Sequence, residues 1–447
     1  MLDLYFNAKH RNCAGVTRRD FVRVGALTAG GLTMAQLQAL AAAGGSPGKL
    51  PGKAVICIWL DGGPTHMETF DPKPQAPAEY RGPFGAIQTS VPGVYLSEVF
   101  PKTARLMHRI SLVRSVYHNN GDHFAAGHWM WTGYHGSNAA NRDPMYPSFG
   151  AIIAKHRGPN FPGMPAFVAV PYAAVIGLRP GYQSAAFLGV AYNPFDAGGD
   201  PNSPNFKVPN LNLPSGVSSL RMEERRGLLR ELDRVRREID QRRLMEGMDE
   251  FNRRAFELVT GERARKAFDI HSEDPKLRDL YGRNSVGQSA LLARRLVEAG
   301  VTCVTVHSGG WDNHSGIENA MKAHGPRTDA AISALITDLI QRGLYDDVIV
   351  MVMGEFGRTP RVNPSAGRDH WGNAMTVLLA GGGIRPGVVV GATDEKGTRP
   401  IRDAVKPAHI LHTVYRQMGI DPSIKHINRA GRPIPVLNEG EPIGQLV

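Results

Sequence analysis

Five residues of metal-binding type stand out in this sequence: Asp61, Asp312, His314, Glu355 and His370. They stand in "WLDGG", "GGWDNH", "GEFG" and "GRDHWG", each after an apolar run or inside a glycine-containing loop. Carboxylates and imidazoles together suit one or two divalent cations, zinc first, with manganese, iron or calcium as further candidates. A sixth residue, His123, begins "HFAAGHWMWTG" just after Asp122 and reads as the first residue of a helix. Free N–H groups and the dipole at that end favour an anion and disfavour an imidazolium, so the ring is expected to be neutral near pH 7. A neutral imidazole can ligate a metal or attack phosphorus, and a packed structural ring is the third reading. His128 lies about 140° further round the helix and is expected to be structural. Arg358 in "GEFGRTP" either clamps ester oxygens bidentately or forms a salt bridge inside the fold. His66 and Glu68 could bind metal or orient Asp61, and Asp369 could support the neighbouring His370. His118, His135 and His307 carry no argument beyond their position.

The elements that must position these groups form a repeating unit of strand, polar loop and helix. Residues 54–60, "AVICIWL", are a continuous β-branched and apolar run ending at Asp61, the pattern of a central parallel strand buried on both faces. A second strand runs to about Tyr117, and a helix follows from Asp122. An amphipathic helix ends at Gly300, a strand continues through Val306, and a Gly-Gly loop carries Asp312 and His314. A further strand enters Gly354-Glu355; "AMTVLLAGGG" and the helical "PAHILHTVYRQMGI" close the chain's core. The expected fold is an α/β doubly wound, mostly parallel sheet with helices on both faces, whose ligands gather at the carboxyl ends of the strands. Residues 193–260 interrupt the rhythm with a Pro/Asn/Gly loop and a long charged helix, either a solvated surface helix or a lid or partner-binding element.

Residues 1–43 stand apart. Arg18-Arg19, Phe21, a mild glycine-rich apolar run and Ala41-Ala42-Ala43 resemble a twin-arginine export signal with a cleavage site, which leaves 44–447 as the folded domain. Gln36, Gln38 and the glycines make the run a poor bilayer span, so no stable membrane span is expected after processing, and the expected location is periplasmic or secreted. The chain has a formal net charge of +11, and the domain without this segment keeps about +8. No helix-turn-helix, zinc-finger or RNA-binding aromatic pattern accompanies the charge, so the expected partner is an anionic ester or surface and not a nucleic acid. Cys57 and Cys303 sit in β-like apolar runs, where buried free thiols are expected.

Beyond these residues, "WLDGGPTHMETFDPKP", "RSVYH", "GGWDNH", "GEFGRTP" and "GRDHW" resemble the motifs of the domain-of-unknown-function 1501 family, exported proteins within the alkaline phosphatase and sulfatase superfamily. The resemblance implies an alkaline-phosphatase-like core and a metal-dependent phosphatase- or sulfatase-like site. It matches Asp61 to a ligand of one metal, and Asp312, His314 and His370 to ligands of the other. Glu355 matches the aspartate of a strand-ending Asp-His-Gly, with Phe356 where a ligand histidine is expected. "DHFAAGHWMWTG" resembles the nucleophile helix of alkaline phosphatases, with His123 in place of the serine or threonine. There is no Cys-x-Pro-Ser-Arg segment, so the formylglycine mechanism of typical sulfatases is not expected. The function implied is an exported metal-dependent hydrolase of phosphate or sulfate monoesters, with a sulfated or phosphorylated polysaccharide as one candidate substrate. The alternative is a catalytically degenerate protein that binds metal or an anionic polymer on the same fold.

Overall fold

The computed structural model describes residues 50–209, 211 and 261–447. The export-signal segment and the long charged helix expected within 193–260 lie outside the described residues. The central sheet has eight strands: β1 (Ala54–Leu60), β2 (Ser111–Val116), β3 (Phe167–Val170), β4 (Phe195–Asp196), β5 (Cys303–Ser308), β6 (Val348–Met353), β7 (Met375–Ala380) and β8 (Val389–Val390). Their spatial order is β8-β2-β7-β6-β1-β5-β3-β4. All neighbouring pairs are parallel except those of β7, which runs antiparallel to both β6 and β2. The expected doubly wound, mostly parallel sheet is therefore present. Phe195–Asp196 corrects one detail: it is not loop but the edge strand beside β3.

Strand β1 lies at the centre, and all seven of its residues are buried. Val55, Cys57 and Trp59 share a core with α1 (His123–Thr132), α2 (Phe149–Arg157) and a later helix, Pro407–Met418. The alternate side chains face the other way, where α3 (Ser285–Glu298) packs on the sheet and against α4 (Ile317–Gln341). Burial on both faces explains why the run shows no polar alternation. Cys57 and Cys303 are free and buried, as expected.

Strands β1, β2, β5 and β6 share one direction, so the segments after their carboxyl ends emerge along one sheet edge. Asp61, the Asp122–His123 turn, Asp312 and Glu355 all leave from it. The loops there are tightly apposed. Gly62 has φ +117°, and a β-carbon on it would sit 2.5 Å from the Asp312 nitrogen. Only glycine fits both the conformation and the gap. A two-residue hairpin, Gly357–Arg358 with His370–Trp371, brings His370 back to this edge.

Candidate metal centre

The amino end of α1 is fixed by its own sequence. Asp122 is the helix cap, and its Oδ1 accepts from the Phe124 and Ala125 amides at 2.7 and 3.0 Å. Its Oδ2 accepts from the Ala139 amide at 2.9 Å. The next residue, His123, therefore leaves the helix in a fixed direction. Its Nδ1 lies 2.7 Å from Glu355 Oε1 and its Nε2 3.3 Å from Asp312 Oδ2.

Asp312 is where the other groups meet. His314 Nε2 and His370 Nε2 approach its Oδ1 at 3.0 and 3.2 Å, and they lie 2.9 Å from each other. Each imidazole turns its other nitrogen outward to an oxygen. His314 Nδ1 is 2.7 Å from Asp369 Oδ1, and His370 Nδ1 donates to the Gly121 carbonyl at 2.8 Å. A carbonyl or carboxylate at Nδ1 fixes the proton there, so in the neutral rings all three Nε2 lone pairs converge on Asp312. Metal-binding histidines are oriented by such outward bonds. The spacings of 2.9–3.3 Å from the three rings to Asp312 and between His314 and His370 are those of neighbouring ligands around one ion, while His314 lies more than 4.8 Å from the His123 nitrogen. Among the described residues, His123, Asp312 and His370 are the one acidic or imidazole group whose ligand atoms all lie within 4.8 Å of one another. His314 adjoins it through Asp312 and His370.

Burial alone would lower the pKa of His123, but hydrogen bonds to Asp312 and Glu355 outweigh it and push the pKa up to about 9 when no ion is bound. This corrects the expectation of a neutral ring. The helix end alone disfavours an imidazolium, whereas the fold sets a carboxylate against each ring nitrogen. Burial would raise the pKa of Asp312, but hydrogen bonds from His123, His370 and Arg358 hold it far below the usual carboxylate range. Glu355 is fully buried, and burial together with the charge of Asp61 raises its pKa against the opposing effect of His123. Both Glu355 oxygens also accept from the Gly62 amide, at 3.0 and 3.3 Å. Glu355 thus meets the cluster through the His123 ring.

Two expected roles are not met by the geometry. The Asp61 carboxylate is not among the grouped ligand atoms and is engaged by protein donors: it accepts from Trp59 Nε1 at 2.7 Å, the Ile176 amide at 2.9 Å and His307 Nε2 at 3.1 Å. Arg358 is fully buried, and its donors go to the Gly62, Gly63, Trp311 and Arg368 carbonyls and, at 2.5 Å, to Asp312 Oδ1. Only one Nη1 N–H has no acceptor among these, too little for a two-pronged clamp on an ester, and the internal ion pair is the arrangement found. His66 and Glu68 serve the fold as well: His66 Nε2 meets the Gly397 carbonyl, and Glu68 pairs with buried Arg368. His128 is buried with Nδ1 on the Tyr134 carbonyl, and burial lowers its pKa to about 4, in keeping with a structural role. Phe356 lies with its ring against both His123 and His370, at 4.8 and 4.7 Å between centroids.

Sequence reasoning passed over His307, which pairs with Asp61, and His118, whose Nε2 donates to the Glu355 carbonyl at 2.6 Å. His307 is level with Trp59 in the β1–β5 pairing. That alignment exists only once the strand order is known, so no local signal marked it.

Residues 52–447 match the family described as "Protein of unknown function (DUF1501)". No curated protein matches the sequence. Among solved structures, the chain is similar to the PsFucS1 sulfatase from Pseudoalteromonas sp., at 12% identity over 86% of this chain and 70% of that one, with a TM-score of 0.36. It is also similar to the phosphonate monoester hydrolase SpPMH from Silicibacter pomeroyi, at 10% identity over 88% and 76% of the two chains and a TM-score of 0.37. For the alkaline phosphatase from the Antarctic bacterium TAB5 the identity is 12%, the coverage 82% and 98%, and the TM-score 0.35. With the whole of the central sheet and every residue of the cluster inside the match, the chain belongs to the DUF1501 family.

Proposed function

We propose that this protein is an exported, metal-dependent hydrolase of phosphate or sulfate monoesters. It holds one divalent ion, zinc first, on Asp312, His314, His370 and His123. One observation carries the reading: three imidazoles, each with Nδ1 against an oxygen, bring their Nε2 atoms to a single carboxylate. The His314 and His370 nitrogens face each other at 2.9 Å. Two lone pairs that close repel unless a cation or a proton lies between them. An ion there would supply Lewis-acid polarisation of the ester and a lowered pKa for a bound water.

The chain's own residues prepare the site. Arg358 fixes the Asp312 carboxylate from the buried side. Glu355, Asp369 and the Gly121 carbonyl fix the three rings. Asp312 and His314 are each 46% exposed, which leaves an open side for an ester to approach. With Nδ1 held by Glu355, the neutral His123 ring presents Nε2 beside Asp312, where it serves as a ligand and not as a nucleophile. Water then attacks directly, and no covalent enzyme intermediate forms. Export rests on Arg18-Arg19 and the run to Ala43. No helix among the described residues is long and apolar enough to cross a membrane.

The test is a panel of phosphate and sulfate monoesters offered to the metal-loaded full chain. Metal-dependent release of phosphate or sulfate, abolished in Asp312→Ala, is the expected result. A folded, metal-replete protein that cleaves no ester would leave only metal or polymer binding.

A further inference from the structure

A hydrolase of this kind must also hold the part of its substrate that does not react. We propose that a groove beside His370 binds an anionic sugar unit of an acidic polysaccharide, an inference that rests on the hydrolase reading above. Two hollows of about 680 and 480 Å³ share Asn373 and Arg399, and so form one groove. Asn119 lines the larger; Tyr80, Arg361 and Trp371 line the smaller. The groove adjoins the metal centre by chain continuity. Trp371 follows His370 on the same short strand, and Asn119 lies two residues before Gly121, whose carbonyl receives the His370 N–H.

The lining matches the two-sided chemistry of a charged sugar. A pyranose has an apolar C–H face that stacks on aromatic rings, and a rim of hydroxyls and charged groups. Trp371 is set as a platform, half-buried, with Nε1 donating to the Thr398 carbonyl at 2.8 Å. Its polar atom is satisfied, so the ring is what it offers. Arg361 and Arg399 are exposed, and among the described residues neither guanidinium has an ion pair or a hydrogen-bond acceptor. A free guanidinium is suited to bidentate binding of sulfate, phosphate or carboxylate. Lys396, whose Nζ lies 4.9 Å from the Tyr80 ring centre, adds positive charge at the same edge. The Asn119 and Asn373 amides supply both donors and acceptors for hydroxyls. Nucleic-acid grooves stack successive bases on several rings. Of the three rings here, Trp371, Tyr80 and Tyr117, Tyr80 already carries Lys396 over one face, and the amides and two free guanidinia beside the indole favour a charged sugar.

Calorimetry on the full chain tests this without requiring turnover. The probes are a heparin-derived hexasaccharide, its desulfated counterpart and a single-stranded oligonucleotide. The sulfated sugar should bind most tightly. Arg361→Ala/Arg399→Ala should weaken it about tenfold or more. Trp371→Ala should weaken it comparably, with Trp371→Phe largely restoring it. Lys276→Ala/Arg429→Ala removes the same charge from exposed positions elsewhere and should change affinity less than about twofold. Equal losses in the two arginine- and lysine-type pairs, no preference for the sulfated probe, or tighter binding of the oligonucleotide would overturn the groove. Groove-dependent sugar binding in a protein that cleaves no ester would sink the hydrolase reading alone. Ester cleavage with sugar affinity unchanged in the groove variants would sink the groove alone.

Discussion

Asp312 holds four neighbours on two oxygens: His123 on one, and His314, His370 and Arg358 on the other. Without an ion, the hydrogen bonds of His123 to Asp312 and Glu355 outweigh burial and raise its pKa to about 9, with a definite consequence for stability. A pKa raised above its ordinary 6.5 contributes stability that is full below 6.5 and is lost as pH rises through about 9. Chelator-treated protein should therefore melt at a higher temperature at pH 6.5 than at pH 9.5. His123→Gln should reduce that difference, and an unchanged difference in the variant would refute the pairing. At this scale the sequence disclosed residue types well and partners poorly. Asp312, His314 and His370 could be picked out because acids and imidazoles after apolar runs suit metals. Asp61 has the same local signal, yet its oxygens are taken by Trp59, Ile176 and His307, which only folding brings beside it. Arg358 gave no sign that four carbonyls would surround it.

At the scale of elements, two small devices place the rings. Asp122 caps α1 and ties it to the 139 loop. Asp122→Ala should cost about 1 kcal/mol in denaturant unfolding and weaken metal retention by loosening His123. Unchanged stability and metal affinity would show that the helix end is held by packing instead. Gly367 supports the His314 turn: a β-carbon there would sit 2.1 Å from the His314 carbonyl carbon. Backbone cannot yield as a side chain can. Gly367→Ala should therefore lower metal affinity about tenfold or more, read by competition with a chromogenic chelator. Wild-type affinity in that variant would show that the turn does not position His314. Strand β1 was legible to the residue, 54–60, because a run buried on both faces has no polar interruption. The helix start at Asp122 was legible from its cap residue. The hairpin carrying His370 was not, since two-residue strands have no periodicity to read.

For the whole molecule, composition and the repeated strand-loop-helix rhythm were enough to expect a doubly wound, mostly parallel sheet. The strand order was not legible, nor was the reversal of β7, because pairing between strands far apart in sequence leaves no local pattern. Export belongs to this scale as well. If Arg18 and Arg19 direct the folded protein across a membrane, Arg18→Lys/Arg19→Lys should leave it in the cytoplasmic fraction of its host at full length. Equal export of that variant would exclude the twin-arginine route. The hydrolase reading depends on a cation at the junction of the three imidazoles, and counting it is the most direct test. Mass spectrometry of the purified full chain after zinc loading should find about one ion per wild-type chain and close to none in Asp312→Ala. A folded wild-type chain that takes up no divalent ion, or an Asp312→Ala chain that keeps its ion, would contradict the account.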